Sequence, residues 1–405
     1  MRIKLFAAFI FVLSFFFYAW NLTQPATLYW DEILHVKSAQ TILAHQKPYA
    51  EMTQPPLGKE LIALSISIFG DNPRGARVFS ALAGALSLSF VFLSASLLCQ
   101  NLTLSILSVL LLAFDPLFYV HSRLATLDIS VTLVIVIALY KFLLIFKKNE
   151  KNIKKIDFYL LGSFLGIAVS IKAVAAVLGL PFLYLLGRKL LASGQKQLFC
   201  HLCLGLLLPF CVIFRFSYSL IGYSWSEMWE HLKWIAVFLS SFKAHSTVTS
   251  RWYEWIFVQN PILYLLKETE DKHFQIILAF GNYLFWIWGE LIILVGVFFF
   301  RKIGTLFWAL LSMVLLQFLF WSLKPSTHLY YMLTVLPFYS LLIVQVLHFL
   351  MQEFPGKKEY LRWNAILFSL ACFILFVYYF PLISGTPLPL EKIEHYKVLG
   401  IEKIL

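Results

Sequence analysis

Charge is what this chain has least of. Only 13% of its 405 residues are Asp, Glu, Lys or Arg, where soluble globular domains carry about 25%. With 60% hydrophobic residues and a mean hydropathy of +0.79, that scarcity excludes an ordinary soluble domain and indicates a polytopic membrane protein. Acidic residues are the scarcer kind, 21 against 33 Lys and Arg, for a net charge of +12. The basic excess gathers in short loops between apolar runs, as the positive-inside rule expects, so no nucleic-acid partner is expected. What bias remains suits anionic lipid head groups or a phosphate substrate. Cysteine is also sparse. The five residues Cys99, Cys200, Cys203, Cys211 and Cys372 lie in or beside apolar runs. Cys200 and Cys203 are spaced like half of a metal site but lack the further ligands a zinc centre needs, so no metal is expected. Internal repeats, low-complexity runs and a separate soluble domain are all missing, which leaves residues 1–405 as one membrane domain. Arg2 and Lys4 before an apolar run resemble a signal peptide, yet no clear A-x-A site follows, and the run reads as a span.

What is there is a succession of apolar segments. A span needs about 20 such residues, and eleven candidates stand at 4–20, 76–98, 103–120, 127–147, 158–171, 174–191, 198–217, 276–300, 304–322, 327–349 and 363–383. The fold class is therefore all-α and polytopic. With the N-terminus inside, the basic connections KKNEKNIKK, RKLLASGQKQ, Arg301-Lys302 and GKKEYLR all fall on the inner side. Two long loops, 21–75 and 218–275, then face outward. The first is expected to hold loop helices near 31–45 and 56–69. The second carries SWSEMWEHLKWIAVFLSSF, an amphipathic stretch suited to the membrane interface.

The polar residues left over gather on one face of this threading. Asp31, Glu32, Gln54, Lys59, Arg74, Arg77, Arg123, Asp128, Lys172, Arg251 and His328 fall at outer span ends or in outer loops. Ionisable groups at that depth are expensive and tend to have a task, and a single outward polar cavity accounts for them. Sugar transfer from a lipid phosphate to a hydroxyl would need such a set. It requires a carboxylate base within reach of the acceptor and Lys or Arg to hold the leaving phosphate. A monophosphate leaving group makes a divalent metal less necessary, and no cofactor is expected. Each residue also has an ordinary reading. Asp31 and Glu32 would suit a helix N-terminus, Pro55-Pro56 a helix start, and Lys59 a snorkelling position. Arg123 and Asp128 would suit a span-end ion pair, Lys172 a helix C-terminus, and His328 the membrane interface.

Taken in order, several segments resemble the protein O-mannosyltransferase family, the dolichyl-phosphate-mannose protein mannosyltransferases of the GT-C class. They are YWDEILHV, QPPLGKELI, GARVFSALAGAL, HSRLATLDISVTL, LGIAVSIKAVA, SRWYEWIF, FGNYLFWIWG and THLYYMLTVLPF, and they extend over nearly the whole chain. The resemblance implies about eleven spans and inverting transfer of mannose from a polyprenyl phosphate to Ser or Thr of a translocated protein. It implies that Asp31 is the base and Glu32 its neighbour in donor or acceptor binding. It places Lys59, Arg77 and Arg123 near the donor phosphate, with Asp128, Gln54, Lys172, Arg251 and His328 in support. Gln54 stands where the family usually has histidine, and Asn282-Tyr283 where it has Asn-Pro. The lectin-like insert of the eukaryotic members is missing from the large loop. A short form of this kind resembles bacterial members, which implies a bacterial inner-membrane protein working on its outer face. The sugar and acceptor stay open. One alternative is a related GT-C enzyme that modifies a glycolipid, as the lipid A aminoarabinose transferases do. Another is a transporter of polyprenyl-linked sugars, which would predict polar groups across the midplane and paired repeats.

Overall fold

The computed structural model describes residues 2–241, 249–324, 327–394 and 396. The end of the amphipathic stretch in the second loop, and most of the tail beyond 394, lie outside them. The first helix, α1 (Arg2–Ala19), turns Phe9, Leu13 and Phe16 outward, as a helix surrounded by lipid does. The first long loop then forms the two expected helices, α2 (Glu32–Leu43) and α3 (Leu57–Phe69). Next comes α4 (Pro73–Cys99), whose start is written in the sequence. Asn72 accepts a hydrogen bond from the Gly75 amide, and Pro73 fills the first helical position, where no amide hydrogen is needed.

The expected span at 103–120 is interrupted. It forms α5 (Leu102–Ala113) and a short α6 (Pro116–His121), broken at Phe114-Asp115. Asp115 caps α6 by accepting from the Phe118 amide, while Pro116 cannot continue a preceding helix. The other Asp115 oxygen accepts from the Asn282 amide at 2.9 Å and from the Trp286 indole at 2.7 Å. A single buried carboxylate thus joins two distant parts of the chain. α7 (Leu127–Lys147) follows, and α4 packs between α1 and α7.

The next helices are α8 (Lys155–Ile171), α9 (Gly179–Ala192), α10 (Lys196–Leu220) and α11 (Trp225–Ser241). Asp157 binds Lys141 and Lys148, each at 2.7 Å, and so stitches the basic loop between α7 and α8. α8 and α10 cross at Gly162 and Gly205. A Cβ on Gly162 would sit 1.8 Å from the Gly205 carbonyl oxygen, so only glycine admits this approach. Cys200 and Cys203 ride on α10 as free thiols.

The second long loop contains something the apolar pattern did not announce. β1 (Ile262–Glu268) pairs antiparallel with β2 (His273–Ala279), and later β3 (Leu388–Pro389) joins the other edge of β2. The expected span at 276–300 therefore begins too early. Ile276–Ala279 are the buried end of β2, and a short continuous apolar run cannot be assigned to helix or strand by periodicity. Helix resumes at Leu284 and runs through α12 (Gly289–Phe298), followed by α13 (Thr305–Ser322), α14 (Leu336–Glu353) and α15 (Lys358–Ser384). The segment expected from 327 enters α14 only after a 3-10 turn at Leu329–Thr334. Helix occupies all eleven expected segments. Eight of the helices among the described residues are long and apolar enough to cross a membrane, with Leu102–Ala113 and Leu284–Phe298 shorter.

Candidate active site

The start of α2, the turn at 51–54, the first turn of α7, the end of α8, residues 321–324 and residues 328–331 converge on a cavity of about 320 Å³. Among the predicted residues, Asp31, Gln54, Asp128, Lys172 and His328 line it. Positions spread across nearly three hundred residues are brought to one place.

Asp31 sits where the chain enters α2. It makes no side-chain cap bond to that helix, so the plain capping reading does not describe it. Its polar neighbour is the Tyr330 hydroxyl, which donates to Oδ2 at 3.5 Å, a long contact. Burial, reinforced by the nearby Asp128 charge and opposed by Lys172, raises its pKa to about 6. The backbone before it is held from outside the loop. Trp30 adopts a left-handed φ of 54°, and its ring stacks on Tyr264 of β1 at 4.6 Å. Tyr264 in turn meets His121 Nε2 through its hydroxyl at 2.9 Å.

Glu32, expected beside Asp31 in donor or acceptor binding, points elsewhere. It is fully buried and grips Arg77 with both oxygens, each at 2.8 Å. The amides of Ala125 and Tyr29 also donate to it. Arg77 spends its remaining N–H groups on the carbonyls of Leu22, Pro25 and Thr27. With all five donors engaged, it has none for a phosphate. Arg123 also binds loop carbonyls, donating to those of Tyr18 (2.8 Å) and Asn21 (3.1 Å) and to that of Trp20. Lys59 gives its three N–H bonds to Glu51 Oε2 at 2.6 Å and to the carbonyls of Glu51 and Gln54. These three cations were expected around the donor phosphate. In this structure they hold acidic partners and loop carbonyls, because an irregular loop beside a membrane must satisfy its carbonyls.

The cations on the cavity wall are Lys172 and Lys324, beside His328. Lys172 Nζ donates to Asp128 Oδ1 at 2.5 Å and stands 5.1 Å above the Tyr331 ring. Asp128 therefore pairs with Lys172, not with Arg123. The His328 ring lies parallel to Tyr330, 5.3 Å away. Gln54 accepts from the Ala173 amide at 3.4 Å, next to Lys172. Arg251 does not join the cavity. It is exposed and donates to the Tyr253 hydroxyl.

Sequence reasoning missed His35, Glu51, Thr53, Trp321, Lys324 and the Tyr330–Tyr331 pair, all on the wall. His35 had a signal, since four residues after Asp31 is one helical turn on the same face. Tyr330 and Tyr331 stood inside the quoted segment THLYYMLTVLPF. Trp321 offered no signal, being one tryptophan among several at helix ends.

Residues 53–218 match the family described as dolichyl-phosphate-mannose-protein mannosyltransferase. A polyprenol-phosphate-mannose–protein mannosyltransferase of Mycobacterium tuberculosis is 30% identical over 29% of this chain and 24% of its own length. Against the curated relatives it matches, the chain spans about a third of their length or less. Among solved structures, the Saccharomyces cerevisiae protein O-mannosyltransferase Pmt1-Pmt2 complex, bound to its sugar donor, has a TM-score of 0.84 at 13% identity. That likeness covers 98% of this chain and 92% of the yeast one. ArnT from Cupriavidus metallidurans, bound to undecaprenyl phosphate, has a TM-score of 0.60 at 16% identity over 91% of this chain and 70% of its own. At such identities the likenesses establish the fold, and the sequence matches narrow it. Residues 53–218 of this integral membrane chain thus resemble that mannosyltransferase family, and its fold is the one seen in the yeast and Cupriavidus proteins.

Proposed function

We propose that the chain transfers a sugar, mannose in the first instance, from a polyprenyl phosphate to Ser or Thr hydroxyls of translocated proteins, on the outer face of a bacterial inner membrane. The observation that carries this reading is Asp31 in the same cavity as the Lys172–Asp128 pair: a carboxylate with no strong partner among the described residues, in a pocket that also holds cations. The acceptor hydroxyl gives its proton to Asp31 as its oxygen attacks the anomeric carbon. The bond from that carbon to the phosphate oxygen breaks on the opposite side, so configuration inverts. Polyprenyl phosphate leaves with the bonding electrons, and Lys172, with Lys324 and His328 near it, stabilises the negative charge. Mass spectrometry of secreted proteins and membrane lipids, with and without the protein, tests the assignment. Hexose lost from Ser and Thr peptides supports it, and hexose lost from a glycolipid alone moves the acceptor to lipid.

Two further results are expected. Transfer should need ionised Asp31, so kcat/KM should rise with pH and level off above about 6. Below that value it should fall about tenfold per pH unit. A rate flat from pH 5 to 8 removes Asp31 from the base role. The second concerns Lys172. Removing it alone leaves Asp128 buried and unpaired, so the informative variant is Asp128→Asn with Lys172→Met. This double variant should bind bare polyprenyl phosphate about ten- to a hundredfold more weakly, from the ~1.5–3 kcal/mol of a charge-assisted contact. Unchanged affinity would assign the phosphate to other groups.

A further inference from the structure

Buried polar groups in native proteins are nearly always hydrogen-bonded, and each exception calls for an explanation. Among the described residues on the cavity wall, two hold such exceptions. Nδ1 of His35 and Nε1 of Trp321 are both buried without a hydrogen-bond partner. Each side chain is only 6% exposed. The two residues come from different elements, α2 and α13, and both line one cavity.

Their surroundings are ordered. His35 follows Asp31 by one turn, its amide donating to the Asp31 carbonyl at 3.0 Å. Trp321 lies flat on Tyr331, ring centres 3.8 Å apart and planes 8° from parallel, and Tyr331 lies beneath the Lys172 ammonium. The base is thus joined to one orphaned nitrogen and the wall cation to the other.

We infer that His35 and Trp321 form the sugar-reading wall of this cavity, giving their unpartnered ring nitrogens to hydroxyls of an uncharged pyranose on the lipid donor. The inference rests on the donor reading above and names the groups that recognise the sugar. A phosphate is the poorer candidate for these positions. Burial, with the charges of Lys59 and Lys172, holds His35 down to about 4, so its ring is neutral near pH 7. A neutral imidazole offers one donor and one acceptor, matching a hydroxyl, which does both. The indole adds a donor without charge. A site built to hydrogen-bond a hydroxyl discriminates strongly against a ligand that lacks it, because its own polar groups are then left unpaired.

The test compares two ligands on purified protein in lipid nanodiscs: polyprenyl-phosphate-mannose and polyprenyl phosphate without sugar. Trp321→Phe removes the N–H and keeps a ring on Tyr331. His35→Gln is the independent second variant. Each should weaken the mannosyl ligand about three- to tenfold, the scale of one neutral hydrogen bond, and leave bare polyprenyl phosphate unchanged. Equal loss for both ligands would mark the two residues as structural and overturn the inference. So would no loss for either ligand, or a wild-type protein with no preference for the mannosyl form. A wild-type protein that binds neither ligand overturns the donor reading and this inference with it.

Discussion

Asp31→Asn is expected to lower the transfer rate by about 10²–10⁴-fold, the usual cost of losing a general base, while donor affinity stays within about twofold of wild type, because no charge-assisted phosphate contact is removed. The substitution keeps the size and hydrogen-bonding shape of the side chain and removes only its capacity to take a proton. Among the described residues Asp31 holds no ion pair and receives one long bond, from Tyr330, so little else should change. Single-turnover transfer to a Ser/Thr peptide, measured beside donor binding, separates the two effects. Near-normal turnover would end the assignment, and Asp128 would be the next carboxylate to test, since it also lines the cavity.

A second large effect is expected from Arg77→Ala, on stability. The Arg77–Glu32 pair is buried on both sides, and removing one partner of such a pair typically costs about 3–5 kcal/mol. The carbonyls of Leu22, Pro25 and Thr27 would lose their donor as well. Arg77→Ala should therefore express poorly and unfold at lower temperature in detergent. Arg77→Met with Glu32→Leu, which removes both charges, should recover part of that loss. Thermal unfolding curves decide the matter. A variant of wild-type stability with weakened donor binding would return Arg77 to the phosphate.

The difference between Arg77 and Lys172 marks how far the sequence could be read. The helical framework was legible because long apolar runs have one stable form in a bilayer. So was the pair of loop helices, where proline and acidic residues announce helix starts. The convergence of Asp31, Gln54, Asp128, Lys172 and His328 was legible as polarity on one face. What each polar group holds was not. Arg77, Arg123 and Lys172 look alike in sequence, a lone cation beside an apolar run. Whether such a cation serves a ligand or a backbone carbonyl depends on how irregular the neighbouring chain is, and that is a property of the folded loop. The sheet was hidden for a related reason. Ile276–Ala279 are buried and apolar and lead into a helix after only a short turn, so strand and span merge in one hydropathy peak. Trp321 became visible only through its stacking on Tyr331.

The buried ion pairs and cation–carbonyl bonds also fall in a particular order along the chain. Each joins an earlier segment to a later one: Glu32 to Arg77, the end of α1 to Arg123, Asp128 to Lys172. A ribosome feeding this chain into the membrane delivers the partners in that same order. The two ion pairs wait for their counterparts over about 45 residues of synthesis and the end of α1 over about 105, so these bonds can form before the second loop begins. Trp321, Tyr330 and Tyr331 arrive last. On this timetable the polar half of the cavity is assembled early in translation, and it stays open on one side until the aromatic wall is inserted.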